Sequence, residues 1–417
     1  MKQLILLILA AIAAPVILAQ NPCGQGRYLI EAFEVDTTMN IVYGENIQAT
    51  ITNPTARQTL FFDLYEPAGD TLAARPLIIM AFGGAFVGGT RQDADITTVC
   101  ARLAKLGYVT ASIDYRTTLS LIFDRSERNY YLAILKAIHD MRAAVRFFRA
   151  DADSANLYRI DPNQIYVGGI SAGGVTGIHV AFMDEPTDFP NAILQDTAGI
   201  GGIEGLSGNP GFSSEVAGVI SLCGAIGDTT WMNDNLTTPL IMSHGTNDQV
   251  VPFGSTTALF GENITAHGSQ SIQAQADRLG IDSKLLVYQG ADHVPFSSGP
   301  NAEVFMDNTI NFIRDQLALL VCQQSSTAIA PDLNKFKVEV SPLPATTQVT
   351  IRISEELAQG YYSLQLISAR GELIASTPLS PSGEWTIQRE SLPAGIYFYR
   401  IVGSQGNILH VGKLLFT

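Results

Sequence analysis

The chain has 417 residues, of which 46% are hydrophobic and 15% charged; 39 acids face 25 lysines and arginines, for a net charge of −14. That length and apolar content suit two domains around sizeable cores and exclude a disordered chain. The acidic balance, with no basic run against it, repels phosphate backbones and excludes nucleic acid as a partner.

Lys2 is followed by an apolar run from Leu4 to Leu18 and then by Ala19-Gln20. A basic start, a short greasy stretch and a small residue at the cut predict a signal peptide over residues 1–19. The alternative, a membrane anchor, would need a longer run and a basic stop. The mature chain is therefore expected to be exported and soluble. Export permits disulfides. Cys23 opens the mature chain and Cys322 closes the last predicted helix, so a Cys23–Cys322 staple is one reading and free thiols the other. Cys100 and Cys223 lie in apolar stretches that suit buried thiols. No Cys/His cluster has metal-site spacing.

In chain order, Phe33–Gly44, Gln58–Pro67, Pro76–Gly83, Val109–Arg116, Gln164–Ser171, Val216–Gly224, Pro239–Gly245 and Ser283–Gly290 read as strands. The first two form an antiparallel edge. Ile134, Ile138, Met141, Val145 and Phe148 recur at helical spacing, as do Met306, Ile310, Ile313, Leu317 and Leu320. Continuously apolar strands alternating with helices predict a mostly parallel eight-stranded α/β sheet over residues 20–322. Residues 323–334, polar and carrying Pro331, read as a linker. From 335 to 417 no helical period remains. Phe336/Val338/Val340, Val349/Ile351/Ile353, Tyr362/Leu364/Leu366 and Tyr397/Tyr399/Ile401 alternate with polar residues, which predicts a small β-sandwich.

Gly169-Ile170-Ser171-Ala172-Gly173 falls where a strand ends and a helix begins. A serine on such a turn needs small neighbours, and its hydroxyl projects above the sheet beside a helix N-terminus. The bland reading is a glycine-rich connection. A serine hydroxyl needs a base, and the six histidines narrow quickly. His139 and His179 fall in helices, His244 at a strand end, His267 in an expected helix and His410 in the tail. His293 sits in a loop leaving the same sheet edge as Ser171. Asp248 leaves a strand end between them and suits the orienting acid; Asp228 and Asp292 are its rivals. The loop Phe82-Gly83-Gly84-Ala85-Phe86 and the amide of Ala172 offer oxyanion donors, Gly84 and Ala85 in particular. A phosphate loop would require spacing and a lysine that are absent here.

With FGGAF, SIDYR, RIDPNQIYVGGISAGG, HGTNDQVVPF and GADHVPF in this order, Gln58 to Leu320 resembles a serine α/β-hydrolase of the carboxylesterase/lipase type, near the hormone-sensitive-lipase and carbohydrate-esterase groups. The resemblance implies Ser171, Asp248 and His293 as the triad, Gly84, Ala85 and Ala172 as the oxyanion hole, and no metal or organic cofactor. The family usually has histidine where Phe82 stands, which leaves open what orders this loop. The tail motifs VSPLPATTQVTI, LISARGELI, LPAGIYFYRI and GKLLFT resemble the C-terminal sorting domain of type IX secretion in Bacteroidota. That resemblance implies the secretion machinery as partner and a secreted or cell-surface protein. A carbohydrate-binding sandwich is the other reading, with Trp385 as its candidate aromatic.

The function expected is a secreted serine esterase working through an acyl-enzyme. Its substrates could be acylated polysaccharide, short acylglycerol or synthetic polyester. Alternatives are a peptidase on the same fold and a non-catalytic surface protein. The glycine-rich stretch Asp184–Glu215 reads as a lid, a pocket wall or a plain surface loop.

Overall fold

A run of strands buried on both faces can satisfy its backbone only inside a sheet covered by helices. The computed structural model describes Cys23 and residues 26–48, 55–191, 193, 200–233, 235–326, 338–353, 363–368, 373–378, 384–389, 392–402 and 408–417. It divides into two units, residues 1–321 and 322–417. The expected signal peptide lies outside the described residues, among which no helix is long and apolar enough to cross a membrane.

The first unit carries eight strands: β1 (Val35–Ile47), β2 (Arg57–Pro67), β3 (Arg75–Ala81), β4 (Val109–Ile113), β5 (Ile160–Ile170), β6 (Gly218–Leu222), β7 (Leu240–Gly245) and β8 (Ser283–Tyr288). Their order in the sheet is β1-β2-β4-β3-β5-β6-β7-β8. β1 pairs antiparallel with β2, and β2 antiparallel with β4; from β4 onward every neighbour in the sheet is parallel. All eight strands expected from the sequence are present. Every residue of β3, β4, β6 and β7 is buried, which explains their unbroken apolar runs.

The helices are α1 (Ala94–Lys105), α2 (Glu127–Ala152), α3 (Ala172–Phe182), α4 (Ser269–Leu279) and α5 (Ala302–Ser326). The helical stripe read from Ile134 to Phe148 is the buried face of α2. α3 is buried over its whole length, and its glycines let it lie against the sheet: a Cβ on Gly177 would stand 2.9 Å from Gly168 Cα. Two expectations need correction. His267 lies in a short strand, Ala266–Gly268, paired across the chain with Ser255 and Ile226, and not in a helix. The last helix runs to Ser326, into the expected linker, since nothing before Pro331 breaks it. Cys23 and Cys322 are both disulfide-bonded, whereas Cys100 and Cys223 are buried thiols.

The stretch read as lid or wall is, over residues 200–215, a belt fastened to α2. His139 Nε2 meets the Gly202 carbonyl at 2.7 Å, Arg142 donates to the Ile203 carbonyl, Arg146 to Glu204 and the Gly208 carbonyl, and Arg149 to the Ser213 carbonyl. Ser207 is buried and donates to Asp140 at 2.6 Å, within a buried pair that Asp140 forms with Arg116 at 2.9 Å. At 1.5 Å rise per residue, Arg146 lies roughly 24 Å along α2 from Tyr130.

The second unit is two antiparallel sheets. One is formed by Val338–Ser341, Gln348–Ile353 and Glu384–Gln388; the other by Leu373–Pro378, Ser363–Ser368, Gly395–Val402 and Ile408–Phe416. Val349, Ile351, Leu364, Leu366, Tyr397, Tyr399 and Ile401, the alternating residues of the sequence, fill one core with Leu414 and Phe416. Phe336 and Tyr362 lie outside the described residues. Trp385 is 5% exposed in that core and donates to the Pro378 carbonyl, so it forms no aromatic platform.

Candidate active site

The site is assembled at the carboxyl edge of the sheet, where β3, β5, β7 and β8 each release a loop. Ser171 follows β5 and precedes α3 with φ 54° and ψ −114°, a strained geometry for a residue with a side chain. The flanking glycines permit it. A Cβ on Gly169 would stand 2.2 Å from the Ala81 carbonyl oxygen, and one on Gly173 2.0 Å from the same atom. The elbow therefore packs directly onto the end of β3, and no larger residue fits on either side.

His293, in the loop after β8, places Nε2 2.8 Å from Ser171 Oγ. Its Nδ1 lies 2.7 Å from Asp248 Oδ2, and Asp248 leaves the end of β7. The amides of Val250 and Val251 donate to Asp248 Oδ1 at 2.9 and 2.8 Å. Burial pushes the Asp248 carboxyl up, but the hydrogen bonds of His244, His293 and the Val251 amide outweigh it and hold the group well below the usual carboxylate range. Asp248 is thus a charged acceptor facing the His293 ring. The rival acids are engaged elsewhere. Asp292 accepts from the Gln249 and His293 amides and joins the two loops, while Asp228 caps the turn at Thr230.

The loop after β3 approaches the serine closely, since a Cβ on Gly83 would lie 3.4 Å from Ser171 Cβ. Gly84, Ala85 and Phe86 have φ of 119°, 51° and 61°. Two successive left-handed residues with side chains store strain and turn the amides. Among the described residues, the amides of Gly84 and Ala85 donate to no backbone carbonyl. The Ala172 amide opens α3, ahead of the helical ladder. Gly84, Ala85 and Ala172 are the residues that the sequence reading names for an oxyanion hole. What orders the loop in place of a histidine is aromatic: Phe82 stacks on Tyr115 at 4.2 Å, and the Tyr115 hydroxyl donates to the Phe82 carbonyl at 3.1 Å. Tyr115 belongs to the SIDYR segment, so two motifs meet here.

Cys223, after β6, has φ 57° and its sulfur lies within 4.8 Å of the facing atoms of Asp248 and His293. Burial pushes the thiol up to about 12, so it stays protonated, and the Asp and His are already spent on each other. Cys223 thus packs against the Asp248–His293 pair as a protonated thiol, a poor metal ligand.

Next to Ala85 an apolar pocket is lined by Val87, Leu121, Ile122, Tyr130 and Phe260, with Arg125 at its edge. Tyr130 also borders a second apolar cavity, over Val175 and His179 of α3. Leu119, Ile122 and Phe123 are 64%, 55% and 88% exposed on this side. Among the described residues, the walls of these two pockets come from 85–87, 121–134, 175–179, 225–227, 251 and 259–266. Sequence reading missed them because no local period marks residues that meet only through the fold.

Residues 62–199 match the BD-FAE family model, and residues 339–414 match the secretion system C-terminal sorting domain. No curated protein matches the chain. Among solved structures, esterase 2 of the planctomycete Thermogutta terrifontis is similar at 19% identity. Its propionate-bound form has a TM-score of 0.48, over 69% of this chain and 94% of that one. The apo form, also at 19% identity, has a TM-score of 0.47 over 69% and 95%. The first unit is thus similar to the BD-FAE family over residues 62–199, and the second to a secretion system C-terminal sorting domain over residues 339–414.

Proposed function

We propose that the first unit is an exported serine esterase in which Ser171 is the nucleophile, His293 the general base and Asp248 the orienting acid. The observation that carries this reading is the unbroken chain from Ser171 Oγ through His293 to Asp248, at 2.8 and 2.7 Å. In it, Oγ attacks the ester carbonyl carbon while its proton passes to His293 Nε2. Charge on the former carbonyl oxygen is met by the amides of Gly84, Ala85 and Ala172. The C–O bond to the alcohol then breaks as His293 returns the proton to that oxygen, leaving an acyl-enzyme. Water, deprotonated by His293, repeats the steps and frees the acid and Ser171.

The match to an esterase-like family supports an ester over a peptide. The apolar pocket beginning at Ala85 supports an apolar acyl or alkyl group of modest size. The sorting domain supports the secretion machinery as partner and delivery to the surface or beyond. The test is hydrolysis of p-nitrophenyl esters by the wild type and by Ser171→Ala, with fluorophosphonate labelling of Ser171. Rapid hydrolysis and labelling, both lost in the variant, are expected; equal rates in the two proteins would overturn the reading.

A further inference from the structure

His244 was set aside as a base because it ends a strand, yet it is the most thoroughly engaged histidine near the site. It is fully buried at the end of β7, four residues before Asp248. Its Nε2 lies 3.1 Å from the Val251 carbonyl oxygen and 3.1 Å from Asp248 Oδ2. Its Nδ1 lies 2.8 Å from Oγ of Ser269, the buried first residue of α4. A carbonyl oxygen only accepts, so Nε2 carries the proton. Nδ1 is left to the Ser269 hydroxyl, which can donate or accept to match and holds the other side of the ring.

We propose that His244, set by Ser269, is a positioning residue for the reaction: its Nε2–H holds the carboxylate of Asp248 in line with His293 by clamping both ends of the Asp248–Val251 turn. Oγ of Ser171, His293, Asp248, His244 and Oγ of Ser269 form one continuous array, with the carboxylate between two imidazoles. Val251 is gripped twice, its carbonyl by His244 and its amide by Asp248 Oδ1. Fixing the turn fixes the carboxylate, and fixing the carboxylate fixes which nitrogen of His293 faces Ser171. Besides its own Asp248 and His293, the titratable groups against the array are Cys223, which is protonated, and Asp292, which accepts from the His293 and Gln249 amides; Phe253 covers the His244 ring at 5.7 Å. Removing the His244 donor leaves the carboxylate charge less shared. His293 then gains protons more readily, so the acid limb of the rate profile moves to higher pH.

The inference rests on the esterase reading, and the test separates the two. The pH dependence of kcat and of the Ser171 labelling rate by a fluorophosphonate is measured in His244→Leu, His244→Gln and Ser269→Ala, each normalised to labelled sites. His244→Leu is expected to lower kcat about ten- to hundredfold with KM little changed and to move the acid limb upward. His244→Gln, which keeps an N–H near the Nε2 position, should recover most of kcat and leave the limb in place. Ser269→Ala should lose a few-fold and move the limb in the same direction. A His244→Leu protein that melts lower but keeps wild-type kcat and limb would overturn the proposal, as would His244→Gln failing as badly as His244→Leu. If His244→Leu does not fold, an unmoved limb in Ser269→Ala overturns it. A wild type that hydrolyses no ester would sink the esterase reading instead, and the labelling rates would still decide for or against the array.

Discussion

The two units use buried side chains in opposite ways. Among the described residues, the second unit fills its core with Trp385, Leu364, Leu366, Ile401, Phe416 and similar groups, without a histidine, acid or base among them. The first buries His139, His179, His244, Asp140, Arg142 and Arg146 along with its apolar core. Each of these charged or titratable groups has to be matched by a partner, because an unpaired polar group costs more inside than it returns. On the proposed reading, a unit that is only recognised can be held by apolar packing alone, whereas one that holds a nucleophile, a base and a charged acid at 2.8 and 2.7 Å needs directional bonds.

The largest effect expected on this contrast is the loss of turnover in Ser171→Ala, by about 10⁴-fold or more, with the melting temperature little changed. In the second unit the expected pattern is reversed. Trp385→Ala should destabilise that unit by about 3–5 kcal/mol, since it opens a cavity in its aromatic-rich core. Limited proteolysis should then cut the tail while ester hydrolysis per labelled site holds. A parallel fall in esterase rate would show that the two units are not independent in function.

Acid should separate them next. Burial lowers His139 to about 3 and His179 to about 4, whereas an unfolded histidine takes a proton near 6.5. Both folded values lie below the unfolded one, so the unfolded chain binds protons first as pH falls. Stability held above pH ~6.5 is therefore lost on the way down to these folded values, by about 2–3 kcal/mol for each histidine at pH ~4.5. Urea unfolding between pH 7 and 4.5 measures this slope for the first unit. His139→Gln keeps a donor for the Gly202 carbonyl and should remove about half of it. In the tail, burial also lowers His410, which stacks on Tyr399, so a slope of the same sign is expected there, smaller because that ring is more exposed.

How much of this was legible in the sequence follows the same division. Alternation in the tail marks its core directly, because in a two-layer sandwich inward and outward residues differ along each strand. Apolar runs marked the central strands of the hydrolase sheet, and the elbow motif marked Ser171, because glycines 169 and 173 are needed locally against Ala81. The belt over 200–215, the Phe82–Tyr115 stack and the role of His244 were not legible. Each depends on an acceptor or a ring delivered by another element, such as the carbonyls of 202–213 brought to the arginines of α2. Gly-rich residues 200–215 look like a flexible cover in isolation; their glycines instead serve close approach, as at Gly205, where a Cβ would enter the His139 ring.

The smallest effect concerns the pocket wall, where the first unit resembles the second in relying on apolar surface alone. Ile122 lines the pocket beginning at Ala85 and is 55% exposed, so only part of its surface is available to a bound acyl or alkyl chain. Each methylene of substrate buried there is worth about 0.8 kcal/mol, or roughly fourfold in kcat/KM, until the pocket is full. Wild-type enzyme should therefore favour p-nitrophenyl butyrate over acetate. Ile122→Ser should shrink that preference by about two- to fourfold while leaving the rate on acetate nearly unchanged, because the oxyanion amides and the array from Ser171 to Asp248 do not touch residue 122. An unchanged butyrate-to-acetate ratio would place the chain elsewhere, and the cavity over Val175 and His179, which shares Tyr130 with this one, would be the surface to alter next.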